Sequence, residues 1–475
     1  MEGSFLIMKT IVKNFIKIFI NIILLIIILF NLTGCYDAKG IEQFAYVVAI
    51  GLDITDKNQL ELTMQFASVA DGTSESSPGS SQSNKSTLTS VECNSIDSGI
   101  SLINSHISKK VNLSHCQEII VSEKLAYLGL SEYLDTFANN IELRNDCNIV
   151  ISKNNAKEYL EKVKPSLETL TARYYESSLN SSQYTGYTVK VNLSEFYSDM
   201  KSTYSQSYAI LGGINPESSK KYSSDNSSNK SSSGDSSSGS SSSDGSSSDS
   251  SSSDGSSSDD SSSEKPSEES LDNPSNNNSS TEINANYTAG QHPVEDEDAI
   301  ETLGIAVFNG DKLVGELTGL DSICHVIVNN ELDRCTLSIP SPFESEKYVD
   351  IALTSSKSPK CSVDFKDSSP IINIDVYLIA YGLSLNEKIT YDTEEALESI
   401  QNSAETYIKD QIEHYLYKTS KEFNSDISGF GKYAMKNYLT IDEWDKSNWL
   451  ENYKNSSFNV NVDLTMKSGN MFSNS

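Results

Sequence analysis

Hydrophobic and polar positions along the chain define a leader, two patterned halves and a stretch without pattern between the halves. The leader contains an apolar run from Ile18 to Phe30, broken only by Asn21 and preceded by three lysines, Lys9, Lys13 and Lys17. The run has 13 residues, fewer than the ~20 that an apolar helix needs to span a bilayer. A basic segment followed by a short apolar segment is typical of a secretory signal sequence.

The stretch Leu32-Thr33-Gly34-Cys35 ends this leader in the form of a lipobox. Small residues before the cysteine let the backbone enter the site of a signal peptidase, and the thiol then lies at the membrane surface, where it can be acylated. An uncleaved anchor with a chance cysteine is the alternative. We expect residues 1–34 to be a lipoprotein signal peptide and Cys35 to be the lipidation site.

The first patterned half combines a hairpin with alternating strands and helices. Residues 45–54 form an apolar run and Gln59–Ala67 alternates between apolar and polar residues, which predicts two paired strands. Apolar residues at helical spacing predict a helix over Ser95–Ser108, with Ser95 as its N-cap. Beyond it we predict strands at 118–121 and 148–151, and helices at 123–128, 131–139, 156–163, 166–177 and 193–202.

Serine and acidic residues replace the pattern between the two halves. A ten-residue unit repeats over 241–260, as SSSDGSSSDS and then SSSDGSSSDD, and has no apolar face that could be buried. Residues 217–298 contain 17 acidic residues against 4 lysines. We therefore expect 215–298 to be a disordered acidic Ser-rich linker, extended by the repulsion of its own charges.

The second patterned half begins after this linker. Leu303–Phe308 and Lys312–Leu317 predict a hairpin with an Asn309-Gly310 type I′ turn. A long amphipathic helix is expected over Thr393–Ile427, and strict alternation from Phe458 to Met466 predicts a last strand. Both halves therefore predict an α+β protein of two or three small mixed α/β domains with mostly antiparallel sheets, an N-terminal domain at 35–214 and a C-terminal one at 299–475.

Residues that could carry chemistry occur without the spacing that catalysis or metal binding requires. Gly429 to Ala434 fits the letters of a dinucleotide loop, but a helix precedes it where that loop needs a strand, so a glycine-rich helix exit is favoured. Paired carboxylates usually form a solvated face in so acidic a chain. No two of the histidines are four residues apart, and none lies in a nucleophile elbow: His106, His115, His292, His325 and His414. We expect no catalytic, cofactor or metal site.

Seven cysteines occur, and six remain once Cys35 is assigned to the lipid. No CxxC pair or zinc spacing is present among them. Cys324 and Cys335 are the closest pair, so that a disulfide between them and isolated buried thiols both stay open.

The net charge of the chain limits the classes of partner that it can bind. A formal net charge of −30 and a pI near 4.5 leave no basic stripe for nucleic acid. The same charge disfavours electrostatic docking on anionic lipid, so membrane attachment must come from acyl chains.

Five blocks of the sequence are shared with a known family. They are Gly34–Asp37 with Val47–Asp53, His115–Ala126, Ile141–Arg144 with Ala156, Gly304–Gly315, and Asp426–Gly431 with Trp444 and a closing strand to Gly469. In these blocks the chain resembles the Ger(x)C family, the lipoprotein C subunits of spore germinant receptors. The resemblance covers nearly everything outside 68–92 and the linker.

The resemblance implies a role and a place in the cell. It implies a set of small mixed α/β domains, so that 299–475 could contain two units split near residue 345. It also implies a receptor in the spore inner membrane, with membrane-embedded A and B subunits and this C subunit lipid-anchored on the outer face. The expected role is non-catalytic binding or scaffolding in the response to nutrient germinants, without a cofactor.

Two other classes of protein stay open. An extracytoplasmic solute-binding lipoprotein would need a deep cleft between domains with convergent polar groups. A cell-wall enzyme would need a positioned acid–base pair or a metal. The sequence supplies no signature for either class.

Overall fold

Two sheets with helices packed on them form the folded part of the chain in this computed structural model. The structure describes residues 2–31, 40–67, 87–163, 168, 170–215, 285–293, 300–383 and 393–467. The predicted lipidation site Cys35 lies outside the described residues, as do residues 216–284 of the predicted linker.

The leader is helical. Helix α1 spans Glu2–Asn31, and its side chains from Ile11 to Ile27 are all exposed. Within the described part of the chain, we find no helix that is both long and apolar enough to cross a membrane.

The larger sheet runs in the order β3-β2-β1-β5-β6-β7-β8-β9, with the short β4 paired to β1. Its centre is parallel, because β5, β6 and β7 align with β1, whereas both ends of the sheet are antiparallel. Every residue of β5 and β6 is buried, as expected for parallel strands covered on both faces. The strands are β1 Phe44–Ile54, β2 Leu60–Phe66, β3 Thr87–Cys93, β4 Lys110–Asn112, β5 Glu118–Ser122, β6 Asn148–Ser152, β7 Tyr208–Ile214, β8 Ile300–Asn309 and β9 Lys312–Leu317.

Seven helices accompany the strands of this sheet before β7. Polar caps define several of their starts: Ser95 and Ser98 form a capping box at α2, and Asn192 and Glu195 form one at α8. Helices α3, α5 and α6 pack against β1. The helices are α2 Ile96–His106, α3 Glu123–Leu128, α4 Ser131–Ala138, α5 Ala156–Lys162, α6 Thr171–Ser178, α7 Ser182–Thr185 and α8 Leu193–Met200.

The second sheet has four strands in the order β10-β11-β12-β13. These are β10 Cys335–Pro340, β11 Tyr348–Lys366, β12 Ser369–Gly382 and β13 Ser457–Lys467. Its last pair, β12 with β13, is parallel. The helices of this half are α9 Gly319–Val328, α10 Glu394–Tyr417, α11 Gly431–Ala434, α12 Ile441–Ser447 and α13 Trp449–Asn452. Helix α10 lies along β13 and against α9, and it buries one stripe of small and branched apolar residues.

The large sheet crosses the predicted domain boundary at residue 299. Strand β8 pairs antiparallel with β7, so that residues 300–317 complete the N-terminal sheet rather than beginning a separate one. The second sheet begins at Cys335. The predicted domain limits therefore follow the sequence pattern, at 35–214, 215–298 and 299–475. The two sheets divide the chain at a different place, after the strands of residues 300–317 and before Cys335.

Part of the predicted linker is folded. Residues 285–293 pack on the large sheet: Ala285 and Ala289 are buried, and the amide of Ala289 donates to the carbonyl of Leu303. Asn215 Nδ2 donates to the carbonyl of His292 at 2.7 Å. The prediction that all of 215–298 is disordered is wrong for this segment, because its few apolar residues follow an acidic tract that masks their pattern.

The α+β fold class with mostly antiparallel pairing is confirmed. The hairpin at 303–317 is present, but Asn309 pairs with Lys312 and the two turn residues are Gly310 and Asp311. Of these two, only Gly310 has a positive φ, whereas a type I′ turn needs one at both positions. The long helix ends at Tyr417 rather than Ile427, and a π-helical turn follows it.

Candidate functional site

The cysteines of the described residues offer no reactive thiol pair. All six are free, including Cys324 and Cys335, so the disulfide considered for that pair is not formed. Burial raises the pKa of Cys147 and of Cys335 to about 12. A thiol held protonated in this way is a poor nucleophile and a poor metal ligand.

The glycine motif at 429–434 surrounds a buried carboxylate. Asp426 accepts hydrogen bonds from the amides of Phe430 and Gly431 at 3.0 and 2.9 Å and from Trp449 Nε1 at 2.8 Å. Burial raises the pKa of Asp426 to about 6, although these donors favour its charged form. The motif is therefore a turn organised by its own aspartate at the start of α11, neither the exit of the long helix nor a phosphate-binding loop.

The turn forms one wall of a cavity where the two halves of the chain meet, which we call the junction cleft. Its volume is about 460 Å³, a size typical of sites for small molecules. Helix α8 and Tyr208 contribute from the first half, and residues 328–331 after α9, residues 358–361 of β11 and residues 427–433 contribute from the second. The β11 segment lies at a register shift between Lys357 and Lys360, a bulge that redirects side chains toward the cleft.

Three carboxylates line the junction cleft. Glu195 and Asp199 lie one turn apart on the same face of α8, and Glu331 follows α9. The side chain of Glu331 is exposed at the cleft. The surrounding protein still keeps part of the water away from its carboxyl group, and this burial together with the nearby charge of Glu195 raises the pKa of Glu331 to about 7. Burial also raises the pKa of Asp199, and Lys432 opposes both increases. Close to neutral pH the cleft therefore gains one negative charge as Glu331 ionises.

The partners of these side chains differ. Asp199 accepts from Ser205 Oγ at 2.7 Å, and Glu195 accepts from the amide of Asn192 at 3.2 Å. Among the described residues, neither the carboxylate of Glu331 nor the ammonium of Lys432 has a hydrogen-bond or ion-pair partner. Lys432 lies instead over the ring of Tyr204, 5.7 Å from its centroid.

A buried chain of hydrogen bonds ends at the junction cleft. Asn329 Nδ2 lies 3.1 Å from His325 Nε2, His325 Nδ1 lies 2.8 Å from the hydroxyl of Tyr415, and that hydroxyl lies 2.7 Å from Ser428 Oγ. An amide nitrogen can only donate, so Nε2 accepts and Nδ1 donates to Tyr415. Ser428, at the end of this chain, lines the cleft.

His325 has one protonation state near neutral pH. Burial lowers its pKa to about 3, so the ring is neutral at any pH near 7. Tyr208 packs edge-on against the same ring, with the centroids 4.5 Å apart. His325 and Tyr415 are therefore a buried, hydrogen-bonded pair behind the cleft wall.

No pattern in the sequence indicates the junction cleft. Its carboxylates come from α8 and from residue 331, segments separated by more than a hundred residues, and each alone has the pattern of a solvated acid. The Asn192–Glu195 capping box explains the start of α8 and not a cleft. Within the described residues, no group of three or more His, Cys, Asp or Glu side chains could hold a metal ion.

Comparisons with known proteins match both halves of the chain. The family model described as spore germination protein N-terminal domain matches residues 37–215. The model described as spore germination B3/GerAC like, C-terminal, matches residues 303–469. Together they leave out the leader and the segment that separates the halves.

Two proteins of Bacillus subtilis strain 168 are similar to parts of the chain. Spore germination protein KC is 25% identical over 170 residues, 34% of this chain and 41% of that protein. The putative spore germination protein YfkR is 26% identical over 131 residues, 27% of this chain and 34% of that protein. The chain thus matches less than half the length of either relative. A crystal structure of the GerBC protein aligns with 88% of this chain and 97% of its own, with 14% identity and a TM-score of 0.42.

Proposed function

The chain belongs to the Ger(x)C family of spore germination proteins, and from that premise we propose that it is the lipid-anchored C subunit of a spore germinant receptor. The observation that carries this proposal is the pair of family matches, which cover most of the folded part of the chain. In this role the protein is needed for the response to nutrient germinants, and its partners are the A and B membrane subunits.

A binding or scaffold role without chemistry fits the side chains of the two sheets. The buried polar residues act as structural caps: Asp53 accepts from the amides of Ala156 and Lys157 at 2.7 and 2.9 Å, and Asp426 organises the glycine turn. In the described part of the chain, side-chain hydroxyls contact histidine nitrogens between Ser114 and the neighbouring, exposed His115 and between Tyr415 and the buried His325. The protein would then act through its surfaces.

The anchor would hold the folded body close to the membrane. In the proposal, residues 1–34 are removed and Cys35 carries two acyl chains, since one chain at ~0.8 kcal/mol per buried CH₂ binds only marginally. The first strand of the large sheet begins at Phe44. Nine residues from Cys35 reach at most roughly 30 Å, so the end of the sheet that holds Phe44 and its partner Lys110 would face the outer leaflet of the spore inner membrane.

A deletion strain tests the function. Spores that lack this gene, and any paralogous receptor genes, are exposed to nutrients and separately to calcium dipicolinate, which bypasses nutrient receptors. We expect the nutrient response to be lost and the direct response to remain. Normal nutrient germination would contradict the proposal, as would purified protein that degrades peptidoglycan. Capture of two membrane proteins with the tagged chain from dormant spores would identify the A and B partners.

The extracytoplasmic solute-binding lipoprotein stays as the second candidate, because one observation favours it. That class needs a cleft between domains with convergent polar groups, and the junction cleft has this form. If nutrient germination is normal in the deletion strain while the purified protein binds a small solute, the second candidate replaces the first.

A further inference from the structure

We propose that the junction cleft binds a small organic cation, a protonated primary amine that carries a short apolar body. The ammonium group would lie between Glu331, Asp199 and Glu195, and the body would lie against the aromatic wall of the cleft. This inference goes beyond the receptor role proposed above, and neither depends on the other.

Charge selects the sign of the ligand. The cleft is lined by three carboxylates and by Lys432, whose charge acts on Asp199 and Glu331. With all four groups ionised, the negative charges outnumber the positive one. The carboxylate of Glu331 has no partner among the described residues, so it can accept hydrogen bonds from an ammonium without first breaking a contact. A charge-assisted hydrogen bond of this kind is among the stronger polar contacts that a site can offer.

The wall of the cleft selects an apolar body. Val191, Val328, Ile427, Phe430 and Tyr433 also line the cavity, and all of them except Tyr433 are buried. A ligand that combined an ammonium with a short hydrocarbon chain would bury apolar surface on this wall, at about 25 cal/mol for each Å² removed from water. A bare inorganic cation could not use this part of the cleft.

Two hydroxyl groups at the cleft wall could form directional hydrogen bonds with a ligand. Tyr208 lines the cleft. Burial and the nearby charges of Glu331, Asp199 and Glu195 raise the pKa of its phenol. Among the described residues the hydroxyl of Tyr208 has no hydrogen-bond partner. Ser428, at the end of the chain from His325 through Tyr415, lines the same space. Unsatisfied polar groups at the wall of a cavity are the usual mark of a site that a ligand or water completes.

The carboxylates of the junction cleft suit an ammonium better than a metal ion. A metal needs several oxygen ligands within a narrow range of distance, and no acidic cluster in the described residues meets that requirement. An ammonium has three donors that can reach separate acceptors.

Calorimetric titration of the full-length protein in non-ionic detergent tests the proposal. The probes are butylammonium, which stays protonated throughout, together with ammonium and butyrate at matched ionic strength. We expect saturable binding of butylammonium that is several-fold tighter at pH 8 than at pH 5.5, because Glu331 ionises between these values. Binding of ammonium alone should be at least about tenfold weaker, and butyrate should not bind.

Matched variants separate the cleft from the overall charge. Glu331→Gln should weaken butylammonium binding about tenfold and flatten its pH dependence. Glu92→Gln, which removes an equal charge from an exposed position on β3, should leave both unchanged, and Lys432→Met should strengthen binding. Equal affinities for Glu331→Gln and Glu92→Gln would overturn the proposal. So would a lack of saturable butylammonium binding to folded protein, or butyrate binding as tightly as butylammonium.

Discussion

Asp426 and the two glycines after it show how a short motif fixes local structure. Gly429 has φ +67, a left-handed conformation that side chains rarely adopt. Gly431 is constrained differently, by space: an added Cβ would lie 2.7 Å from Trp449 Nε1 and closer still to the carbonyl of Tyr204. Glycine is therefore required for different physical reasons at the two positions: backbone conformation at Gly429 and space at Gly431.

We predict unequal costs for replacing these glycines. Gly429→Ala should cost about 1 kcal/mol of unfolding free energy, because the position is strained but open. Gly431→Ala should cost at least about 3 kcal/mol, because backbone and a buried indole must move. Urea unfolding of both variants measures the difference. Equal costs, or a larger cost at Gly429, would show that space around α11 does not limit this turn.

Glu118 is a second residue whose environment overrides its ordinary chemistry. Its side chain is 3% exposed, and burial raises its pKa to about 8 while a hydrogen bond from Ser178 Oγ opposes the shift. The folded state therefore keeps a proton that the unfolded chain releases near pH 4.5. Between these pH values the folded state binds more protons, so stability falls as pH rises and levels off above about pH 8.

Glu118→Gln should remove this part of the pH dependence. The amide keeps an acceptor for Ser178 and cannot ionise, so we expect the variant to be more stable than the wild type at pH 8.5 and close to it at pH 5. Urea midpoints at the two pH values, with Glu92→Gln as the control for an exposed acid, measure the effect. A variant that loses stability equally at both pH values would mean that the carboxyl is not protonated in the fold.

At the scale of elements, local signals were predictable and distant pairing was not. The β8–β9 hairpin and the strict alternation of β13 depend on neighbouring residues, and the structure has both. The order β1-β5-β6-β7 joins strands by residues far apart in the sequence, which no local pattern encodes. Helix α10 stops ten residues early, a π-helical turn follows it, and the chain then turns at Asn424 with φ +48 before Asp426 organises the next turn.

The segment 285–293 was missed for a related reason, and its role can be measured. We predict that replacing 217–283 by a short Gly/Ser link changes the melting midpoint by less than about 2 °C, because that stretch has no apolar periodicity. Extending the deletion through 293 should lower the midpoint by at least about 5 °C, since buried Ala285 and Ala289 and the bond from Lys153 Nζ to Thr288 Oγ1 are lost. Equal midpoints for both deletions would contradict a structural role for 285–293.

At the scale of the whole molecule, the candidate site arises from the way the two halves meet. Strand β8 completes the N-terminal sheet, and Trp444 Nε1 donates to Thr203 Oγ1 at 3.0 Å. The amide of Gln206 donates to the carbonyl of Asp426. These contacts join the halves beside the junction cleft and bring α8 opposite the glycine turn. Sequence patterns gave the halves separately, so the cleft between them could not be predicted.

Attachment to the membrane is a proposed property of the whole molecule, and the proposal assigns it to Cys35. We predict that the wild-type protein incorporates radiolabelled palmitate and that Cys35→Ala does not. Cys361→Ala, at a half-buried thiol of β11, should keep the label. In the proposal Cys35→Ala also blocks cleavage of the leader, so the intact mass must be read together with the label: the wild-type chain should begin at residue 35 and carry acyl groups. Label that persists in Cys35→Ala, or a wild-type mass that includes residues 1–34, would mean that the lipid is not the anchor.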